Sequence, residues 1–81
     1  MFEKRKSPRR RTFKAGAIAF NGTSIIDCIV KNISDGGAGL IVETPVGIPD
    51  HFKLLIAKEN FMQPCRVVWR ASNRIGVAFT A

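Results

Sequence analysis

Ala15-Gly16-Ala17-Ile18-Ala19-Phe20-Asn21-Gly22-Thr23-Ser24-Ile25-Ile26-Asp27-Cys28-Ile29-Val30 is the stretch from which the fold can be read. Asn-Gly is the favoured centre of a type I′ turn, which needs positive φ at both central residues and joins two strands whose twist it matches. The apolar and β-branched residues on either side make the arms of a hairpin, so the first two strands pair antiparallel. Beyond it the chain keeps the same habit, short strand-like runs between turn residues, and no stretch sustains a helical period. The runs are Thr12 to Phe20, Ser24 to Lys31, Ala38 to Thr44, Phe52 to Lys58, Met62 to Arg70 and Arg74 to Thr80. Asp35-Gly36-Gly37, Pro45 to Asp50, Glu59-Asn60 and Ser72-Asn73 break them. Six evenly spaced short strands suit an all-β fold, a small six-stranded antiparallel β-barrel that leaves few free edges.

Period-two alternation selects the inward side chains. In the fifth run Cys65, Val67 and Trp69 share a face, opposed by Arg66, Val68 and Arg70; in the sixth Ile75, Val77 and Phe79 do. Phe52, Leu54 and Ile56 join this core from the fourth run, and Ile26, Cys28 and Val30 or their neighbours from the second. The first run is ambiguous, because Ala15, Ala17 and Ala19 compete with Ile18 and Phe20. The third is ambiguous because Gly36-Gly37 can shift its register.

The chain has 81 residues, a single small domain, with 46% hydrophobic residues for a modest core. No apolar run is long enough for a membrane helix, so no membrane insertion is expected. The basic N-terminus has no apolar stretch behind it and does not read as a secretory signal, which makes the cytoplasm the expected compartment. Of the net charge of +7, the first 14 residues carry +6 and the other 67 carry +1. Residues 1–11 read as a flexible basic arm, too polar and too like-charged to fold alone, and residues 12–81 as the barrel. A nearly neutral body with a cationic arm steers polyanions without identifying them. Cys28 and Cys65 fall inside strands and read as small buried hydrophobes. Two cysteines and the lone His51 at unrelated spacings make no zinc site, and His51 beside Asp50 offers no nucleophile and base set, so neither a metal nor an enzyme is expected.

Two short motifs carry the chemistry. Arg5-Lys6-Ser7-Pro8-Arg9 is an RxxxR, and Asn32-Ile33-Ser34-Asp35-Gly36-Gly37 is an NxSxxG at the end of a strand. Arginine offers a planar fork that grips a phosphate, or the O6/N7 edge of guanine, at two points; lysine cannot do both. Asn and Ser add short hydrogen bonds, and glycine lets the backbone approach a flat ligand. Pro8 restricts the segment between the arginines.

In order and separation these motifs resemble those of the PilZ domain, the bacterial receptor module for cyclic di-GMP. The resemblance extends over nearly the whole chain, to Arg74-Ile75-Gly76-Val77-Ala78-Phe79, which is similar to the family's last strand. It implies a PilZ-like barrel and a cyclic di-GMP receptor with no other cofactor, in which Arg5, Arg9, Asn32, Ser34 and Gly37 contact the ligand. Lys4, Arg10, Asp35, Gly36 and Arg70 are secondary candidates. It further implies an adaptor: ligand capture orders the arm and changes the surface offered to a downstream protein that the sequence does not identify. Many PilZ domains continue into a helix after the last strand. This sequence stops at Ala81, which leaves the covering of one barrel end to solvent, a partner or the arm.

Two other classes compete. A small basic RNA- or DNA-binding barrel of the OB or cold-shock type would present exposed aromatics for base stacking. The absence of tyrosine, phenylalanines scattered along the chain and a single tryptophan assigned to the core argue against nucleic acid. A structural module that binds no nucleotide would have no use for the arginine pair.

Overall fold

The computed structural model describes residues 10–80, with backbone alone at 10 and 11. The expected flexible arm therefore lies, but for its last two residues, outside the described ones. The strands are β1 (Arg10–Phe20), β2 (Ser24–Ile33), β3 (Gly37–Ile41), β4 (His51–Ile56), β5 (Phe61–Arg70) and β6 (Arg74–Phe79), with one 3-10 turn at Ala57–Glu59. All neighbours pair antiparallel, and the order β1-β2-β3-β6-β5-β4 closes into a barrel. Closure comes from β1 against β4, where Ala17, Ile18 and Ala19 face Leu55, Leu54 and Lys53. Asn21 and Gly22 have φ of 55° and 77°, the two positive values that the first turn requires. Among the described residues no helix is long and apolar enough to cross a membrane.

The core is the set that alternation selects, with one exception. Cys28, Val30, Phe52, Leu54, Ile56, Cys65, Ile75 and Val77 are buried, and Val67 and Phe79 pack against them half-buried. Each fully buried Leu or Ile contributes about 1.5–3 kcal/mol over leaving it in water. The first strand turns Ile18 inward and its three alanines outward; the third buries Ala38 and Leu40 and leaves Gly39 on the outside. Ile48, from the loop between β3 and β4, is buried with the core, while Phe61 and Phe79 pack against its other end with ring centroids 5.7 Å apart. The Lys14–Glu59 ion pair ties β1 to the 3-10 turn beside them. Both cysteines are free and buried.

The boundaries differ from the sequence reading where the backbone finds other partners. The first strand begins at Arg10, two residues early, because Arg10 and Arg11 pair with Ile33 and Asn32. β3 ends at Ile41, since the next amide, Val42 N–H, donates to the Asn73 carbonyl at 2.9 Å. β4 stops at Ile56, where Asn60, at φ 51°, reverses the chain after the 3-10 turn.

The exception in the core is Trp69. The sequence places it inward with Cys65 and Val67; the structure leaves it 45% exposed on the outer surface. A β-bulge between Val67 and Trp69 inserts an extra residue into β5, and a slip of one residue moves every later side chain to the other face.

Candidate ligand-binding site

Three such bulges shape one face of the barrel. They lie on β1 between Arg11 and Lys14, on β2 between Val30 and Asn32, and on β5 between Val67 and Trp69. At the first, Phe13 takes φ 53°, a left-handed conformation uncommon for a bulky side chain and compatible with a bulge that re-aims the strand. Together they align Arg11, Asn32, Gly39, Gly76 and Trp69 as successive register partners across β1, β2, β3, β6 and β5.

The two glycines form the floor of this row. A Cβ at Gly39 would stand 3.0 Å from Asn32 Oδ1 and 3.1 Å from Nδ2, so the Asn32 amide leans over Gly39. A Cβ at Gly76 would collide with the Nε1 edge of the Trp69 indole, so that ring leans over Gly76 from the opposite side. Gly39 and Gly76 are register partners on adjacent strands, about 4.8 Å apart, so the amide and the indole overhang neighbouring stretches of bare backbone. Asn32 Oδ1 is buried and has no hydrogen-bond partner among the described residues. A buried acceptor left alone costs about 1–3 kcal/mol, which a ligand donor arriving there would recover.

The rest of NxSxxG forms a tight loop beside this row. Ser34 N–H donates to the Gly37 carbonyl at 2.9 Å and Ser34 Oγ to the same oxygen at 3.4 Å; Phe79 N–H donates to the Gly36 carbonyl at 2.9 Å. Gly37 sits so close to β6 that any side chain would strike the Val77 carbonyl oxygen, whereas a Cβ at Gly36 would meet nothing within 4 Å. Ser34 and the exposed Asp35 line a pocket of about 360 Å³ with Phe61, Gln63 and Phe79. A larger hollow of about 500 Å³, bounded by Phe20, His51, Lys53 and Pro64, holds no motif residue.

Of the residues singled out in the sequence, the structure brings Asn32, Ser34, Asp35, Gly36 and Gly37 together. Lys4, Arg5 and Arg9 lie outside the described residues, as does the side chain of Arg10. Arg10 backbone pairs with Ile33, however, so the chain carrying RxxxR enters the barrel at the strand that bears NxSxxG. Arg70, one rung beyond Trp69 and opposite Ile75, has its guanidinium bonded to the Asp50 carboxylate at 2.8 Å and the Pro45 carbonyl at 3.2 Å. Among the described residues no cluster of His, Cys, Asp and Glu could hold a metal ion.

The PilZ domain family model matches residues 3–81. The chain is a member of the PilZ domain family. No curated protein matches it. Within this PilZ domain the match takes in both motifs, and the register shows how the second of them becomes a surface. Trp69 and the glycine floor are what the sequence reading missed. A signal for them was present in Gly39 and Gly76, two glycines inside strands, which often mark close approach by another group.

Proposed function

We propose that this PilZ domain is a cyclic di-GMP receptor in which the ligand lies between the RxxxR tail and the glycine floor. The observation that carries the reading is the row itself: a buried acceptor at Asn32 with no partner among the described residues, two strand glycines, an aromatic edge at Trp69, and a first strand whose backbone at Arg10 and Arg11 pairs with Ile33 and Asn32. Arg5 and Arg9 grip phosphate oxygens and guanine edges with paired, charge-assisted bonds. Asn32 Oδ1 accepts from a guanine N–H, Ser34 supplies a second polar contact, and Trp69 offers an apolar wall to a purine. Gly37 holds the loop against β6, with Asp35 and Gly36 at its tip. Lys4 and Arg10 add long-range attraction.

The role is binding rather than catalysis. Drawing the tail onto the barrel changes the surface near β1 and β2, and a ligand shifts that balance only as far as it prefers one state. The domain thereby acts as an adaptor toward a downstream protein. Isothermal titration with cyclic di-GMP, with GTP and a short single-stranded RNA as controls, tests the reading. Saturable binding of cyclic di-GMP alone supports it; RNA binding without cyclic di-GMP binding removes it.

A further inference from the structure

The opposite flank of the barrel carries an apolar face that the nucleotide reading does not use. On the outer side of β1 stand Ala15, Ala17 and Ala19. Their register partners continue the surface: Ile29 and Ile25 on β2, Leu55 on β4, and Met62 on β5 opposite Leu55. Ile25 is 62% exposed, Met62 57% and Ile29 38%. The alanines leave the middle of this patch low and smooth while the larger side chains rim it. Contiguous apolar surface of this kind marks interaction sites, unlike apolar residues scattered singly.

Two charges interrupt it, and their placement selects the occupant. Asp27 lies opposite Ala17 on one side of the alanine strand, and Lys53 lies opposite Ala19 on the other. Both are exposed, and neither has an ion-pair partner among the described residues. They stand two strands apart, roughly 10 Å across the sheet, and do not pair with each other within the molecule. A two-fold axis lying in the plane of contact and passing between them exchanges their positions. Each Asp27 then faces the Lys53 of the other copy, alanine strand crosses alanine strand, and the isoleucines of one molecule cover Leu55 and Met62 of the other. A self-complementary patch is what an isologous dimer requires.

We propose that the β1 outer face is the contact between two copies of this chain, with reciprocal Asp27–Lys53 pairs fixing its register. The contact leaves the glycine row free, because that row meets β1 only at Arg11, four residues before Ala15. Dimerisation and nucleotide capture thus use different faces of one barrel.

Sedimentation of the full chain over a concentration series, with thermal melts confirming that each variant is folded, tests this. The parent should dimerise. Asp27→Lys and Lys53→Asp should each weaken the dimer by about tenfold or more, and the double reversal should restore it, since charge pairs at an interface act through complementarity. Met62→Glu should also yield monomer. A parent that stays monomeric throughout overturns the proposal, as does a double reversal that behaves like either single one. Flotation with vesicles of phosphatidylcholine and phosphatidylglycerol is the parallel arm. A monomer that binds them and loses binding on Met62→Glu shows that the face meets lipid and overturns the dimer.

Discussion

Two outer surfaces of this barrel are both built on small residues, and the difference between glycine and alanine separates their uses. On the β3–β6 side, Gly39 and Gly76 remove the Cβ altogether, so the side chains of Asn32 and Trp69 can lean in over bare backbone. On the β1 side, Ala15, Ala17 and Ala19 keep a methyl each, and the isoleucines and Met62 stand around them. The first is a strip of bare backbone overhung by an amide and an indole, with hydrogen-bonding chemistry at its edge. The second is a smooth apolar plate with two opposed charges, sized for protein. A missing methyl group decides between a floor that neighbours can overhang and a surface that only another surface can cover.

The comparison breaks most severely at Gly37. Gly37→Ala drives a methyl into the Val77 carbonyl, and denaturant unfolding should show a loss of about 3 kcal/mol, while Gly36→Ala, with open space around it, should change stability by less than about 0.5 kcal/mol. Equal effects at the two positions would mean that β6 can yield.

Next in size is the arginine pair. Arg9→Lys should weaken cyclic di-GMP binding nearly as much as Arg9→Ala, because the lost paired bonds are worth about 1.5–3 kcal/mol each and lysine preserves only charge. Arg5 should behave alike. Titration at two salt concentrations checks this, since a counterion-release binder would tolerate lysine and show a steep salt slope instead. Asp27→Lys, on the other surface, should leave nucleotide affinity within about twofold, the additivity expected of sites without shared partners.

Smaller effects sharpen the glycine row. Asn32→Ala and Ser34→Ala should each weaken binding by about 1–2 kcal/mol. Asn32→Ala should leave the free protein no less stable, since it removes a buried acceptor that has no partner among the described residues. Gly39→Ala crowds the Asn32 amide and should lower affinity more than stability. The paired measurements are titration and thermal melting. A melting loss larger than the binding loss would make Asn32 a structural residue.

The smallest effect lies in the wall that the two surfaces share. Burial pushes the Cys28 thiol from 9.0 up to about 12, with Asp27 adding to the rise, and the Cys65 thiol up to about 11. A thiol whose folded pKa is raised binds its proton more tightly in the folded state. Its stabilisation is therefore full below about pH 9 and is lost as pH rises from there toward 11 and 12. Alkylation near pH 8 should be slow in the folded protein and fast after denaturation, which mass spectrometry of labelled protein checks. Rapid labelling of either cysteine before unfolding would place it outside the core.

What the sequence made legible was whatever repeats with period two or sits in a two-residue turn. Asn21-Gly22 announced its hairpin, and Leu54 against Leu55 or Ile75 against Gly76 could be sorted by alternation alone. The bulges were not legible, because a bulge is one extra residue whose position depends on the facing strand. Trp69 was therefore assigned to the wrong face, and with it went the glycine row. Nor was it legible that Arg70, set by alternation on the face away from Cys65, bonds the Pro45–Asp50 loop, because that contact joins residues 20 and 25 apart in sequence. Asn32 and Ser34 were legible because their chemistry is local to a turn, whereas what stands opposite them is set by pairing between β3 and β6.

The bulge at Val68 also has an optical consequence. It places the one tryptophan of the chain, without any tyrosine to compete, at the edge of the glycine row with nearly half its surface in water. Emission from this protein thus reports a single location. A purine settling on the floor would change the polarity around that indole and quench or shift its light, while contact between alanine strands would leave it unchanged. An unlabelled sample can therefore tell by colour whether the glycine floor is occupied, whatever happens at the alanine face.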